Sequence, residues 1–142
     1  MMKKKKHLKL IVLFVGLIGL MSLSACSKDD DPFARVAINE TGSDLGGDVT
    51  GDGGSTSESY VWNNPLAVAN WSMDITATNG GSFQLIIEDA DGAIVSDRTL
   101  TAGVGEDSAD GVTAAGVAGD WTIRVVLSDF NGNGSFWLGP GN

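Results

Sequence analysis

Residues 121–127 read Trp-Thr-Ile-Arg-Val-Val-Leu, apolar at every second position with Thr122 and Arg124 between. A period of two places Trp121, Ile123, Val125 and Leu127 on one face of an extended strand. The same rhythm recurs upstream, where Trp71, Met73, Ile75 and Ala77 alternate with Ser72, Asp74 and Thr76. It recurs again in Phe83, Leu85 and Ile87, and in Phe136 and Leu138 near the end. Each such segment must bury one face against another layer. The connectors agree with this. Asp91-Gly92 is a strong hairpin signal, because glycine accepts the positive φ of a primed turn. Asn79-Gly80-Gly81 and Asn131-Gly132-Asn133-Gly134 mark further turns, the first joining the 71–77 and 83–88 strands as a pair and the second joining the last two strands. No segment sustains a helical period, and 20 glycines oppose one. Short strands with turns roughly every ten residues predict an all-β fold, a small antiparallel β-sandwich over residues 60–142. Trp71 and Trp121 are expected in its core.

Upstream of residue 60 the composition changes. Gly42, Gly46, Gly47, Gly51, Gly53 and Gly54 mingle with Ser, Thr and Asp. Such a stretch has little apolar surface to offset its ordering entropy, so residues 26–59 are expected to form a flexible, acidic, Gly/Ser-rich tether. The run Phe33–Ile38 is ambiguous between tether and an early strand. Asp48-Val-Thr-Gly-Asp52-Gly53 begins like a calcium loop, but its twelfth position is Ser59 where a bidentate carboxylate belongs. It is therefore assigned to the linker.

The first 26 residues carry an address. A basic run (Lys3 to Lys6, Lys9) precedes an apolar stretch from Leu10 to Met21, too short to span a bilayer and organised as a secretory leader. Leu23-Ser24-Ala25-Cys26 follows, and it resembles the lipobox of bacterial lipoproteins. The resemblance implies removal of residues 1–25, diacylation of the Cys26 thiol and anchoring in a membrane by several acyl chains. The next residues, Lys28-Asp29-Asp30-Asp31, are similar to the surface-export signal of Bacteroidota lipoproteins. That similarity implies a place on the outer face of the outer membrane, whereas the charges taken alone describe a solvated tether.

What remains after the leader sets limits on chemistry. The single His (His7) lies in the leader and the single Cys is Cys26. Ser-His-Asp and Cys-His catalysis and His- or Cys-ligated zinc are thereby excluded from the domain. Beyond residue 25 four cations (Lys28, Arg35, Arg98, Arg124) face all 18 acids, a formal charge of −14. Such a body repels phosphate backbones, so no nucleic-acid partner is expected. Carboxylates are the remaining catalytic candidates. Glu88, Asp89, Asp91, Asp97, Glu106, Asp107 and Asp110 fall in hairpins and Gly-rich loops, where Asp is a preferred turn residue, so no enzyme activity is expected.

Two binding chemistries are left. Asp129, Asn131 and Asn133, followed by Gly134, fit the first six positions of a calcium loop, although Pro140 occupies the twelfth. The same residues suit an Asn-Gly hairpin turn, and both readings stay open. Calcium is thus the one cofactor the spacing admits. Tyr60, Trp62 and Trp137 are the aromatic candidates for a ligand surface. Trp137 alternates out of phase with Phe136 and Leu138, and Tyr60 and Trp62 share one face of a short first strand. Taken as a pattern of strands, Gly80–Gly92, Gly119–Leu127 and Gly134–Leu138 resemble the pre-peptidase C-terminal modules appended to secreted bacterial enzymes. That resemblance implies a jelly-roll-like sandwich and a non-catalytic role, and it transfers no functional residue. The expectation is a surface-anchored lipoprotein whose sandwich is a binding or accessory module for a glycan or protein ligand. The alternative is a calcium-stabilised structural or adhesion component of the envelope, and the acidic surface would also attract cationic partners.

Overall fold

The structure is a computed structural model and describes residues 31–77 and 79–142. The leader, Cys26 and Lys28 to Asp30 lie outside the described residues. Seven antiparallel strands follow one another: β1 (Ala34–Glu40), β2 (Leu45–Asn64), β3 (Ala69–Ala77), β4 (Ser82–Glu88), β5 (Ile94–Thr101), β6 (Ser108–Val112) and β7 (Gly119–Pro140). The fold is the all-β sandwich that the period-two segments predict.

Its layers share two strands. β2 and β7, of 20 and 22 residues, run antiparallel from Leu45↔Leu138 to Asn64↔Gly119. Where Leu45–Asp52 of β2 meets Asn131–Leu138 of β7, β1 adds on one side and β3 and β6 on the other. This first layer has the order β1-β2-β7-β3-β6. Where Thr56–Asn64 meets Gly119–Leu127, β4 and β5 extend the sheet instead, giving the second layer β2-β7-β4-β5. Register shifts at Asp52, Gly54 and Thr56 mark the corner on β2. On β7 the corner falls at Asp129, a non-glycine residue with φ of 45°. The buried face of β7 changes phase there, from Trp121, Ile123, Val125 and Leu127 to Phe130, Phe136 and Leu138. A bulge of this kind re-aims a strand without ending it.

Two expectations are corrected by this arrangement. Residues 131–134 are not a turn; they continue β7 through the corner, because the extra residue at the bulge absorbs the bend that a hairpin would have made. The tether expected over 26–59 is sandwich from Ala34 onward. Leu45 and Val49 are buried, and two of the glycines of β2, Gly47 and Gly51, sit against aromatic rings rather than confer flexibility. A Cβ on Gly47 would lie 3.0 Å from the Phe136 ring, and one on Gly51 would lie 3.1 Å from the Phe130 ring. Glycine here makes room for large side chains on the neighbouring strand. Asn79-Gly80-Gly81, expected to join a pair of strands, carries the chain from one layer to the other, since β3 and β4 do not pair.

The two layers close on one core. Phe83 of the second layer meets Phe136 of the first edge-to-face, ring centroids 6.3 Å apart, and Trp121 meets Trp62 at 6.2 Å and 89°. The β4–β5 hairpin is organised by Asp89, 5% exposed. Its Oδ1 accepts from the amides of Asp91 (3.0 Å) and Ala93 (2.8 Å), and its Oδ2 accepts from the amide of Val117 (2.9 Å). These bonds, Val117's first and Ala93's next, hold the carboxyl below its ordinary value of 3.8. A depressed folded-state value means that the stabilisation is present above pH 3.8 and is lost as pH falls through the lowered value. Asp89→Asn should therefore melt several degrees below the parent at neutral pH, and the gap should narrow as acid titrates the parent's carboxyl. Thermal melts of both proteins across an acid series check this.

Candidate functional site

The outer face of the first layer is polar around a single aromatic ring. Residues in direct register share a face, so one row runs Glu40, Gly46, Trp137, Ser72, Asp110 across all five strands. The Trp137 indole lies down along its own strand. A Cβ on Gly139 would stand 2.6 Å from its Cζ2 and Cη2, so only glycine lets the ring rest there. The Asp44 carboxylate approaches within 3.3 Å of the Cβ position of Gly139, which sets it beside the ring, and the Glu40 carboxylate lies within 3.3 Å of the Cβ position of Gly46, the ladder partner of Trp137. Gly46, covered by the Glu40 side chain, flanks it on one side, and the partly exposed Ser72 flanks it on the other. The next row carries Asp48, Ser135 and Asp74. Asn39 Nδ2 donates to Asp48 Oδ2 at 2.8 Å, and Ser135 Oγ donates to Asp74 Oδ1. Thr50, Asn133 and Thr76 form a third row, with Arg35 at its edge. The face thus offers one flat apolar platform ringed by carboxylates, hydroxyls and amides.

Trp137 stands where its phase predicts, on the face opposite Phe136 and Leu138. Trp62 does not reach the surface. It is 3% exposed, its Nε1 donates to the Ser43 carbonyl at 3.0 Å, and its ring packs on Trp121. Tyr60 shares that inward face and is half-buried against the core. Burial, and then the nearby Glu58 charge, push its phenol above the usual value. The reason for both corrections is register: Trp62 pairs with Trp121 and Tyr60 with Ile123, and partners across a ladder point the same way.

The calcium loop is likewise replaced by strand. Asn131 and Asn133 sit about 6.6 Å apart along β7, a strand spacing that spreads ligands instead of wrapping them round one ion. Asp129 occupies the exposed bulge, where its amide donates to Ser55 Oγ at 2.9 Å, and Asn131 Nδ2 donates to Asp52 Oδ1 at 3.3 Å. Among the described residues no group of three or more Asp, Glu, His or Cys side chains gathers to hold a metal.

Apart from the open face, the structure has a cleft for which the sequence offers no signal. β5 and β6, the outer strands of the two layers on this side, do not pair with each other. Between them lies a cleft of about 740 Å³ lined by Trp71 of β3, Arg98 of β5, Glu106 and Asp107 of the connecting loop, and Ala109 and Asp110 of β6. Trp71, expected in the core, is only partly buried, and its ring edge lies under Gly111, where a Cβ would stand 3.2 Å from Cζ2. Arg98 and Glu106 pair at 3.4 Å across the exposed wall. Of these features, only the Gly139 seat has a signal in the sequence: a glycine two residues after an outward Trp shares its face.

No protein-family model matches the chain, and no curated protein matches it in sequence. Solved structures with a similar arrangement of strands include TmCBM61 in complex with β-1,4-galactotriose (12% identity, TM-score 0.41, 76% of this chain and 88% of that one). A carbohydrate-binding module from Cellvibrio mixtus lichenase 5A in complex with cellotriose aligns at 16% identity and TM-score 0.41 over 77% and 88% of the two chains. A family 11 carbohydrate-binding module from Clostridium thermocellum, in complex with a β-1,3-1,4-mixed-linked tetrasaccharide, aligns at 10% identity and TM-score 0.39 over 79% and 85%. Likenesses of this order carry no functional argument.

Proposed function

We propose that this protein is a surface lipoprotein whose sandwich binds a glycan, without catalysis, on the face centred on Trp137. The observation that carries the reading is the ring's posture. An indole resting on Gly139, with small residues (Gly46 and Ser72) as its ladder neighbours and the Asp44 carboxylate at its edge, is a platform for the apolar face of a sugar ring. The surrounding carboxylates, amides and hydroxyls supply acceptors and donors for hydroxyl groups. Hydrolysis would need an enclosed pair of carboxyl groups whose environments push their pKa values apart, and an open sheet face provides no such enclosure.

Trp137→Ala should abolish retardation of the protein in gels containing the glycan it recognises, a loss of at least about tenfold in affinity. Its melting temperature should stay close to the parent's, because the ring lies outside the core. Soluble cellulose derivatives, β-1,4-galactan and mixed-linkage β-glucan, polymers of the oligosaccharides in the compared structures, are the probes. Retardation that survives the substitution would overturn the reading.

The anchor rests on Leu23-Ser24-Ala25-Cys26 and the exposure on Lys28-Asp29-Asp30-Asp31. Cys26→Ala should stop labelled palmitate from entering the protein and move it out of the membrane fraction. Replacing Lys28 to Asp31 with alanine should leave it membrane-bound but hidden from protease added to intact cells.

A further inference from the structure

We propose that the cleft between β5 and β6 is a second subsite for the same glycan chain, reached from Trp137 by passing over β6. The proposal rests on the glycan reading of the Trp137 face and extends it. Asp110 belongs to both places: it stands in the register row of Trp137 and Ser72, and it lines the cleft. Two strand spacings, about 10 Å, separate Trp137 from it. The strand to be crossed is low and short. β6 has five residues, Ser-Ala-Asp-Gly-Val, and pairs only with β3, so its outer side presents few bulky groups.

Beyond the strand the cleft repeats the chemistry of the open face. Trp71 supplies a second indole, 66 positions from the first in sequence but on the neighbouring strand, since Trp71 and Ser72 pair with Leu138 and Trp137. Arg98 adds donors and Glu106 and Asp107 add acceptors on the walls. At about 740 Å³ the cleft is within the usual range of ligand pockets and exceeds what one hydroxyl group or water cluster needs. The chain that fits this path is an oligosaccharide long enough to lie on Trp137 and turn the edge. A mono- or disaccharide would meet one indole only.

The test is a chain-length series. Oligosaccharides from disaccharide to hexasaccharide, cut from whichever probe polymer retards the protein, are titrated calorimetrically into the full mature chain. Trp137→Ala should weaken every length. Trp71→Ala should leave the disaccharide unchanged and weaken the longest oligosaccharide about tenfold. Because Trp71 also packs against the core, Arg98→Gln provides a second variant on the exposed wall with the same expected pattern. Equal effects of Trp71→Ala and Arg98→Gln on all lengths, or no effect on any, would overturn the second subsite while leaving the Trp137 reading in place. Absence of binding to every polymer would overturn both.

Discussion

A chain that begins at Tyr60 should not fold. It should show no cooperative melting transition and collapsed amide dispersion, whereas a chain that begins at Ser27 should melt as a unit. The shorter chain lacks β1 and the first three quarters of β2, and with them the partner of β7 from Asn131 to Leu138. Leu45 and Val49 leave the core, Phe130 and Phe136 lose the glycine strand that covers them, and the Trp62 N–H loses the Ser43 carbonyl. Each large buried side chain left without its packing costs about 2–5 kcal/mol. Several such losses together exceed the roughly 5–15 kcal/mol that holds a domain folded. A cooperative transition in the Tyr60 chain at the parent's temperature would show that the corner of β2 is dispensable.

Trp121→Ala is the severest single substitution expected. The ring is 0% exposed, stands edge-on to Trp62, and donates its N–H to the Val117 carbonyl at 2.7 Å. Truncation opens a cavity between the layers at a cost of about 3–5 kcal/mol. In a domain of this size that lowers the melting temperature by roughly 12 °C or more. It should also loosen the segment before β7, because Val117 is held by Trp121 on one side and by Asp89 on the other. Trp121→Phe should recover part of the loss. Paired with Trp137→Ala, which should change binding and not melting, it separates the tryptophan that builds the sandwich from the one that faces the ligand.

The strands whose inward positions carry large apolar side chains were plain in the sequence. Phe83–Ile87 and Trp121–Leu127 need only their own period to declare a face. The first half of β2 is hidden because its inward positions include Gly47 and Gly51, and the rings packed on them, Phe136 and Phe130, lie more than 75 residues away. A glycine that receives a ring and a glycine that loosens a linker look alike until the ring is placed. The direction of Trp62 is hidden for a related reason: it is fixed by pairing with Trp121, a contact that local alternation does not contain. Trp137 was readable because Phe136 and Leu138 bracket it with the opposite face. The corner at Asp129 reads as a turn in the sequence, since Asn and Gly serve bulges and hairpins alike.

The shared strand β7 also sets a timetable. It comes last of the described strands in chain order, and β2, β3 and β4 all pair with it. Without its 22 residues neither layer has a centre, and only the β1–β2, β3–β6 and β4–β5 pairings can form beforehand. Isolated two-stranded pairs are marginal in water. Residues 31–118 should therefore stay extended until β7 has been made and acquire their fold in one long-range step, the decisive ladder joining residues as distant as Leu45 and Leu138. A chain that cannot fold until β7 has been made is one that can be threaded through a narrow channel before then.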